Sequence, residues 1–184
     1  MEKNISKLVI TLTIIGIISA LALTFVYEWT TPYIEKHAAK AREEAVFTVI
    51  PGAESYEEVN KNGTTFYEGY KSNQMVGVAL IVEGAGFQGM IKLMVGADPV
   101  NGEINAIKIL NHQETPGLGA KITGDSYKSN FKNKPFGDYE VIKREATEAN
   151  QVEAIAGATI SSEKVTNIVE KAIKKIQSAY GGGN

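Results

Sequence analysis

The chain has no cysteine. That excludes disulfides, cysteine-ligated iron–sulfur clusters, thioether-linked haem and a lipid-modified cysteine. Histidine is nearly as scarce. His37 and His112 are the only two, they lie far apart in the sequence, and they lack metal-ligand spacing, so no metal is expected. Charge of either sign is in short excess. The net value of −2 gives no global field that would attract nucleic acid, and no nucleic-acid partner is expected. No internal repeat is visible, and no linker is long enough to split the chain after its N-terminal segment. A length of 184 residues suits one membrane segment and one domain of modest size.

What the chain does have is a long apolar run. Leu8 to Tyr27 contains no charged residue. Twenty residues at a helical rise span about 30 Å, the thickness of a hydrocarbon core. Lys3 and Lys7 flank one side, and Tyr27, Trp29 and Tyr33 suit the interfacial belt on the other. Ala20-Leu21-Ala22 looks like a signal-peptide cleavage site. It falls inside the run, however, and the run exceeds a signal core of about 7–15 residues. The expectation is an uncleaved anchor in the lipid bilayer over residues 1–30. Charge does not orient it, because Lys36, Lys40 and Arg42 follow closely on the far side.

Pro32 is expected to open a second helical stretch, a stalk over residues 31–50 that ends at Pro51-Gly52. A domain over 51–180 follows. Asn62-Gly63 signals a hairpin, and Met75–Val82, Met90–Val95 and Ile104–Leu110 read as strands. Together they predict an antiparallel sheet of about four or five strands. Val152–Ile155 reads as a short strand. Val165, Ile168, Val169, Ala172, Ile173 and Ile176 then form one apolar face of a final helix. Residues 181–184 read as a frayed tail. The fold class expected is α+β: one N-terminal transmembrane helix, then an antiparallel sheet with flanking helices.

Three loops carry possible chemistry. Gly84-Ala85-Gly86-Phe87-Gln88-Gly89 matches G-x-G-x-x-G, but a strand follows where a dinucleotide site needs a helix. It reads instead as a glycine-rich connection between strands, with Phe87 packed over it. Such glycines also let a backbone approach a planar ligand. In the second loop, Pro116-Gly117 fits the centre of a type II turn, displaying His112, Gln113, Glu114 and Thr115 beside Leu118. In the third, Ala156-Gly157-Ala158-Thr159-Ile160-Ser161-Ser162 precedes the final helix. Ser161 or Ser162 is the expected N-cap, with Glu163 in the first turn. Thr159 then lies just ahead of a helix N-terminus, whose unpaired N–H groups suit a phosphate, and Gly157 and Ala158 leave room to reach its hydroxyl.

Glu153-Ala154-Ile155-Ala156-Gly157-Ala158-Thr159 resembles the flavinylation motif of the FMN-binding subunits of Rnf and Na⁺-translocating NADH:quinone reductase complexes. That family usually has Asp at position 153 and a hydroxyl residue at 156, where this chain has Glu and Ala. The run Glu114-Thr115-Pro116-Gly117-Leu118-Gly119 is a second block similar to the same family. The resemblance implies FMN attached covalently to Thr159 through a phosphoester bond. It implies cofactor-binding roles for Glu114, Thr115, Gly117, Leu118 and Gly119, and for Gly157, Ala158, Ile160 and Ser161 around the threonine. It further implies an electron relay without independent turnover, inside an ion-translocating oxidoreductase of the Rnf type that passes electrons between ferredoxin and NAD. Other membrane and redox subunits would be partners, and a separate flavin transferase would install the FMN. The N-terminus would be cytoplasmic and the FMN domain extracytoplasmic. The C-type subunit of the sodium-translocating quinone reductase is the nearest alternative. A membrane-anchored binding or sensory module without a redox cofactor is the alternative from another class. A hydrolase has little support, since no base is evident beside Thr159.

Overall fold

The computed structural model describes residues 2–181, with side chains from residue 5 onward. The expected tail lies, from residue 182, outside the described residues. The chain divides into two compact units, Met1–Ala41 and Arg42–Asn184.

The first unit is helical and belongs to α1, which runs from Glu2 to Val49. It is long and apolar enough to cross a membrane, and its large side chains from Ile5 to Phe25 are all exposed. That length and composition make it a candidate membrane span. Pro32 does not open a new helix, contrary to the expectation from sequence; it lies inside α1. Proline removes an N–H from the ladder. The carbonyl left without that partner is Glu28 O, four residues back; beside it the Thr30 and Thr31 hydroxyls fold onto the helix, donating to Val26 O at 2.8 Å and to Tyr27 O at 2.7 Å.

The second unit is built on an antiparallel meander. Strands β1 (Ser55–Lys61), β2 (Thr64–Lys71), β3 (Gln74–Ala85), β4 (Met90–Asp98), β5 (Glu103–His112) and β6 (Lys134–Pro135) lie in chain order across one sheet. The sheet therefore has six strands, not four or five. The sixth is two residues long, too short to leave a periodic signal. Asn62 and Gly63 both have positive φ, 53° and 73°, as a tight hairpin turn demands.

Alternation along the strands gives each face its own core. Leu80, Leu93, Val95 and Ile107 face α3 (Thr159–Tyr180), whose expected stripe from Val165 to Ile176 is buried throughout. Tyr67, Ala79 and Met94 point to the other face. There they pack on Ala45, Val46, Val49 and Ile50 at the end of α1. Between β5 and α3 lie a 3₁₀ turn at Gly119–Thr123, the short helix α2 (Asp125–Lys128) and a 3₁₀ turn at Ser129–Phe131. The expected strand near Val152 is β8 (Gln151–Glu153). It joins β7 (Glu140–Ile142) in a separate two-stranded parallel sheet. The architecture is α+β with a long N-terminal apolar helix, as the sequence implied.

Candidate functional site

A cavity of about 350 Å³ opens at the start of α3. Its walls are Glu114, Thr115, Leu118, Gly119, Gly157, Ala158, Thr159, Ile160 and Ser161, joined by Phe87. Segments separated by about forty residues of sequence thus meet around one threonine. Each wall has a local cause. Gly117 has φ +76°, and the Leu118 N–H donates to Thr115 O at 3.2 Å, so Pro116-Gly117 turns as its residue types require. Gly157 has φ +79°, which turns the chain from β8 into α3, and the Ala158 N–H donates to Ile155 O at 2.9 Å.

The helix starts earlier than expected. Ala158 is the N-cap, and Thr159 is the first helical residue rather than one just ahead of the helix. Neither serine caps it, because both hydroxyls are engaged elsewhere. Ser161 donates to Glu114 Oε2. Ser162 Oγ donates to Ala158 O at 3.1 Å and accepts the Ile155 N–H at 3.0 Å. Glu163 lies beyond the first turn, which contains no acid. No side chain caps the N-terminus of α3. The N–H groups of Thr159, Ile160 and Ser161 precede the first intrahelical bond, which Ser162 N makes to Ala158 O at 3.0 Å. The Thr159 hydroxyl, half-buried in the cavity, has no hydrogen-bond partner among the described residues.

Glu114 braces the walls from behind. It is buried, at 4% exposure. Its Oε1 accepts the Phe87 N–H at 2.7 Å and the Gln88 N–H at 3.1 Å. Burial pushes the Glu114 carboxyl up. Hydrogen bonds from Ser161, Gln88 and Phe87, with the charge of His112 when protonated, outweigh this and hold it below the ordinary 4.5. A lowered folded value means that this carboxylate stabilises the fold fully above pH about 4.5, and that the contribution disappears as pH falls through the folded value. The difference in Tm between the native chain and Glu114→Gln is therefore expected to shrink between pH 6 and pH 3. A difference that stays constant over that range would contradict the assignment.

Phe87 is the wall that sequence reasoning did not name as a site residue. It sits at the tip of the β3–β4 hairpin, closed by Gly86 N–H to Gly89 O at 2.7 Å, and its side chain is 59% exposed. The signal was an aromatic residue flanked by glycines in a connection that needed none. Gly117, by contrast, faces a neighbouring cavity of about 600 Å³ with Lys121, Tyr127, Asn130, Glu153 and Ala156. Among the described residues no cluster of His, Asp and Glu could hold a metal.

Comparison with known proteins follows the same lines. Residues 86–174 match the model of the FMN-binding domain. The chain is 31% identical to the G subunit of the ion-translocating oxidoreductase complex of Methanosarcina acetivorans, over 98% of each chain. It is 29% identical to the G subunit of the proton-translocating ferredoxin:NAD(+) oxidoreductase complex of Clostridium ljungdahlii, over 98% of this chain and 96% of that one. The G subunit of the Na(+)-translocating ferredoxin:NAD(+) oxidoreductase complex of Acetobacterium woodii is 28% identical over 96% of this chain and 93% of that one. Among solved structures, the crystal structure of Shewanella oneidensis NqrC shares the fold. The TM-score is 0.55 with 18% identity, covering 70% of this chain and 73% of that chain.

Proposed function

The chain belongs to the family of G subunits of ion-translocating oxidoreductase complexes and carries its FMN-binding domain, and from this premise we propose that it is a membrane-anchored electron relay with FMN esterified to Thr159. The observation that carries the reading is the free Thr159 hydroxyl at the uncapped start of α3, inside the cavity bounded by the Pro116-Gly117 turn. The residues suit the cofactor. N–H groups at the first turn of a 22-residue helix favour a phosphate ester. Phe87, Leu118 and Ile160 are 59%, 48% and 47% exposed around the cavity, apolar surface that a planar ring would cover.

Bound FMN supplies the one- and two-electron chemistry. Thr159 would anchor its phosphate, and Phe87, Leu118 and Ile160 would offer the apolar surface for its ring. The family match supports a flavin over the sensory-module alternative. The likeness to NqrC, at 18% identity, speaks for the fold alone. Relatives at 29% and 28% identity are named for proton and sodium translocation respectively. Intact-mass measurement of protein from native membranes tests the proposal. The expected mass exceeds the bare chain by one FMN less one water. A native mass equal to the bare chain refutes it. A flavin transferase is the partner required for maturation, so co-expression with one is expected to be necessary for the mass increase in a foreign host.

The N-terminus is assigned to the cytoplasm and the flavin domain to the outer side of the cell membrane, with residues 1–30 as anchor, 31–50 as stalk and 51–180 as the FMN domain. The lack of cysteine makes this simple to test. Val100, 84% exposed in the β4–β5 turn, is suited to Val100→Cys. A membrane-impermeant maleimide added to intact cells is expected to label it. Labelling that requires permeabilisation would reverse the orientation.

A further inference from the structure

The Glu114 carboxylate contributes more than a brace. Among the described residues no lysine or arginine forms an ion pair with it. His112 bonds the backbone of Glu114, its Nδ1 accepting the Glu114 N–H at 3.2 Å. The charge is held instead by three donors: the Phe87 and Gln88 N–H groups and the Ser161 hydroxyl. Glycines make room for it. A Cβ at Gly86 or at Gly119 would overlap a carboxylate oxygen. A carboxylate with this many donors stays ionised although buried. It thus leaves a fixed negative charge in the wall of the cavity that contains Thr159, two residues along α3 from Ser161.

We propose that Glu114 is a positioning and charge-setting residue: it clamps the hairpin tip and the first turn of α3 around the cavity, and its charge lowers the reduction potential of the flavin held there. The proposal rests on FMN being attached at Thr159. Its physical basis is Coulombic. An electron that arrives on the ring adds negative charge, and a nearby carboxylate in a poorly hydrated wall disfavours the reduced form more than the oxidised one. The carboxylate takes no part in bond making. It shifts an equilibrium and holds Phe87 and Ser161 in place.

Three variants of the full-length chain, co-expressed with a flavin transferase, separate charge from clamp. Glu114→Gln keeps the size and an acceptor for both hairpin N–H groups, and its amide can donate to Ser161 Oγ, but it carries no charge. Glu114→Asp keeps the charge with a shorter reach. Glu114→Ala removes both. The midpoint potential is read from the flavin spectrum during mediated titration with dithionite, so only the loaded fraction reports. Glu114→Gln and Glu114→Ala are expected to titrate at more positive potential than the native chain, and Glu114→Asp close to it. Amide hydrogen exchange at Phe87 and Gln88, measured in a Thr159→Ala background that needs no flavin, is expected to accelerate in Glu114→Ala and stay near native in Glu114→Gln. A loaded Glu114→Gln protein with native potential overturns the charge-setting role. Native exchange in Glu114→Ala overturns the clamp. A native chain that carries no covalent flavin sinks the underlying attachment and the charge-setting role with it, while the exchange measurement still decides the clamp.

Discussion

Thr159→Ala is expected to remove every trace of covalent flavin while leaving the fold nearly as stable as before. The two halves of that result have separate causes. The hydroxyl is the only atom group lost that could form the ester, and the other hydroxyls of the same turn are engaged: Ser161 with Glu114 and Ser162 with Ala158 and Ile155. Neither can replace it without breaking a bond that shapes the cavity. Stability is spared because Thr159 is not the cap of α3; Ala158 is. A substitution that breaks no hydrogen bond and no buried contact stays within about 0.5 kcal/mol. Denatured protein on a gel should lose its flavin fluorescence completely, with Tm within a few degrees of native. Thr159→Ser keeps the hydroxyl and is expected to retain part of the signal. Fluorescence of undiminished strength in Thr159→Ala would move the attachment elsewhere. A large fall in Tm would show that the threonine holds the fold.

How much of this was legible depends on whether the cause was local. The Pro116-Gly117 turn and the apolar stripe of α3 are written in neighbouring residues, and both appear where expected. The walls of the cavity were nameable only through resemblance to a family, since nothing in composition says that residues near 115 and near 159 meet. The start of α3 was misplaced because a cap is chosen by competition. Ser161 and Ser162 have the right hydroxyls, but tertiary partners at Glu114 and Ile155 claim them. The continuity of α1 through Pro32 was missed for a simpler reason: a proline reads as a boundary, yet it removes a single N–H from the ladder, and the helix runs on through it. The partner of β8 was out of reach, because β7 is three residues long and parallel pairing leaves no turn signal. Phe87 was visible as an oddity, an aromatic between glycines, but its place beside Thr159 comes from a long-range contact, the hairpin tip bonded to the Glu114 carboxylate.

The largest loss of stability is expected at Gly96, far from any of these motifs. It lies on the central strand β4, paired with Ala79 on β3 and Ala106 on β5. A Cβ there would overlap the backbone carbonyl of Val49, the last residue of α1. Gly69 and Gly77 also face this segment, but what they meet first is the Ile50 side chain at 2.9 Å, which can turn away. A carbonyl in a helix terminus cannot. Gly96→Ala must therefore either lift the end of α1 or bend the central strand, and Ala45, Val46, Val49 and Ile50 are the apolar residues that close this face of the sheet. Overpacking costs about 1–3 kcal/mol when side chains can adjust, and occasionally more; a rigid backbone partner favours the upper end. For a domain of this size that corresponds to a fall in Tm of roughly 5–15 °C. Gly137→Ala is the control, since a Cβ there meets nothing within 4 Å and its φ is not positive; it should melt within a degree or two of native. Because α3 and Thr159 sit on the opposite face of the sheet, Gly96→Ala protein kept below its Tm should still take up flavin. If Gly96→Ala melts with Gly137→Ala, the end of α1 is not seated on this strand. If it melts early and also refuses flavin at low temperature, the two faces of the sheet are coupled, and the site depends on how α1 enters the domain.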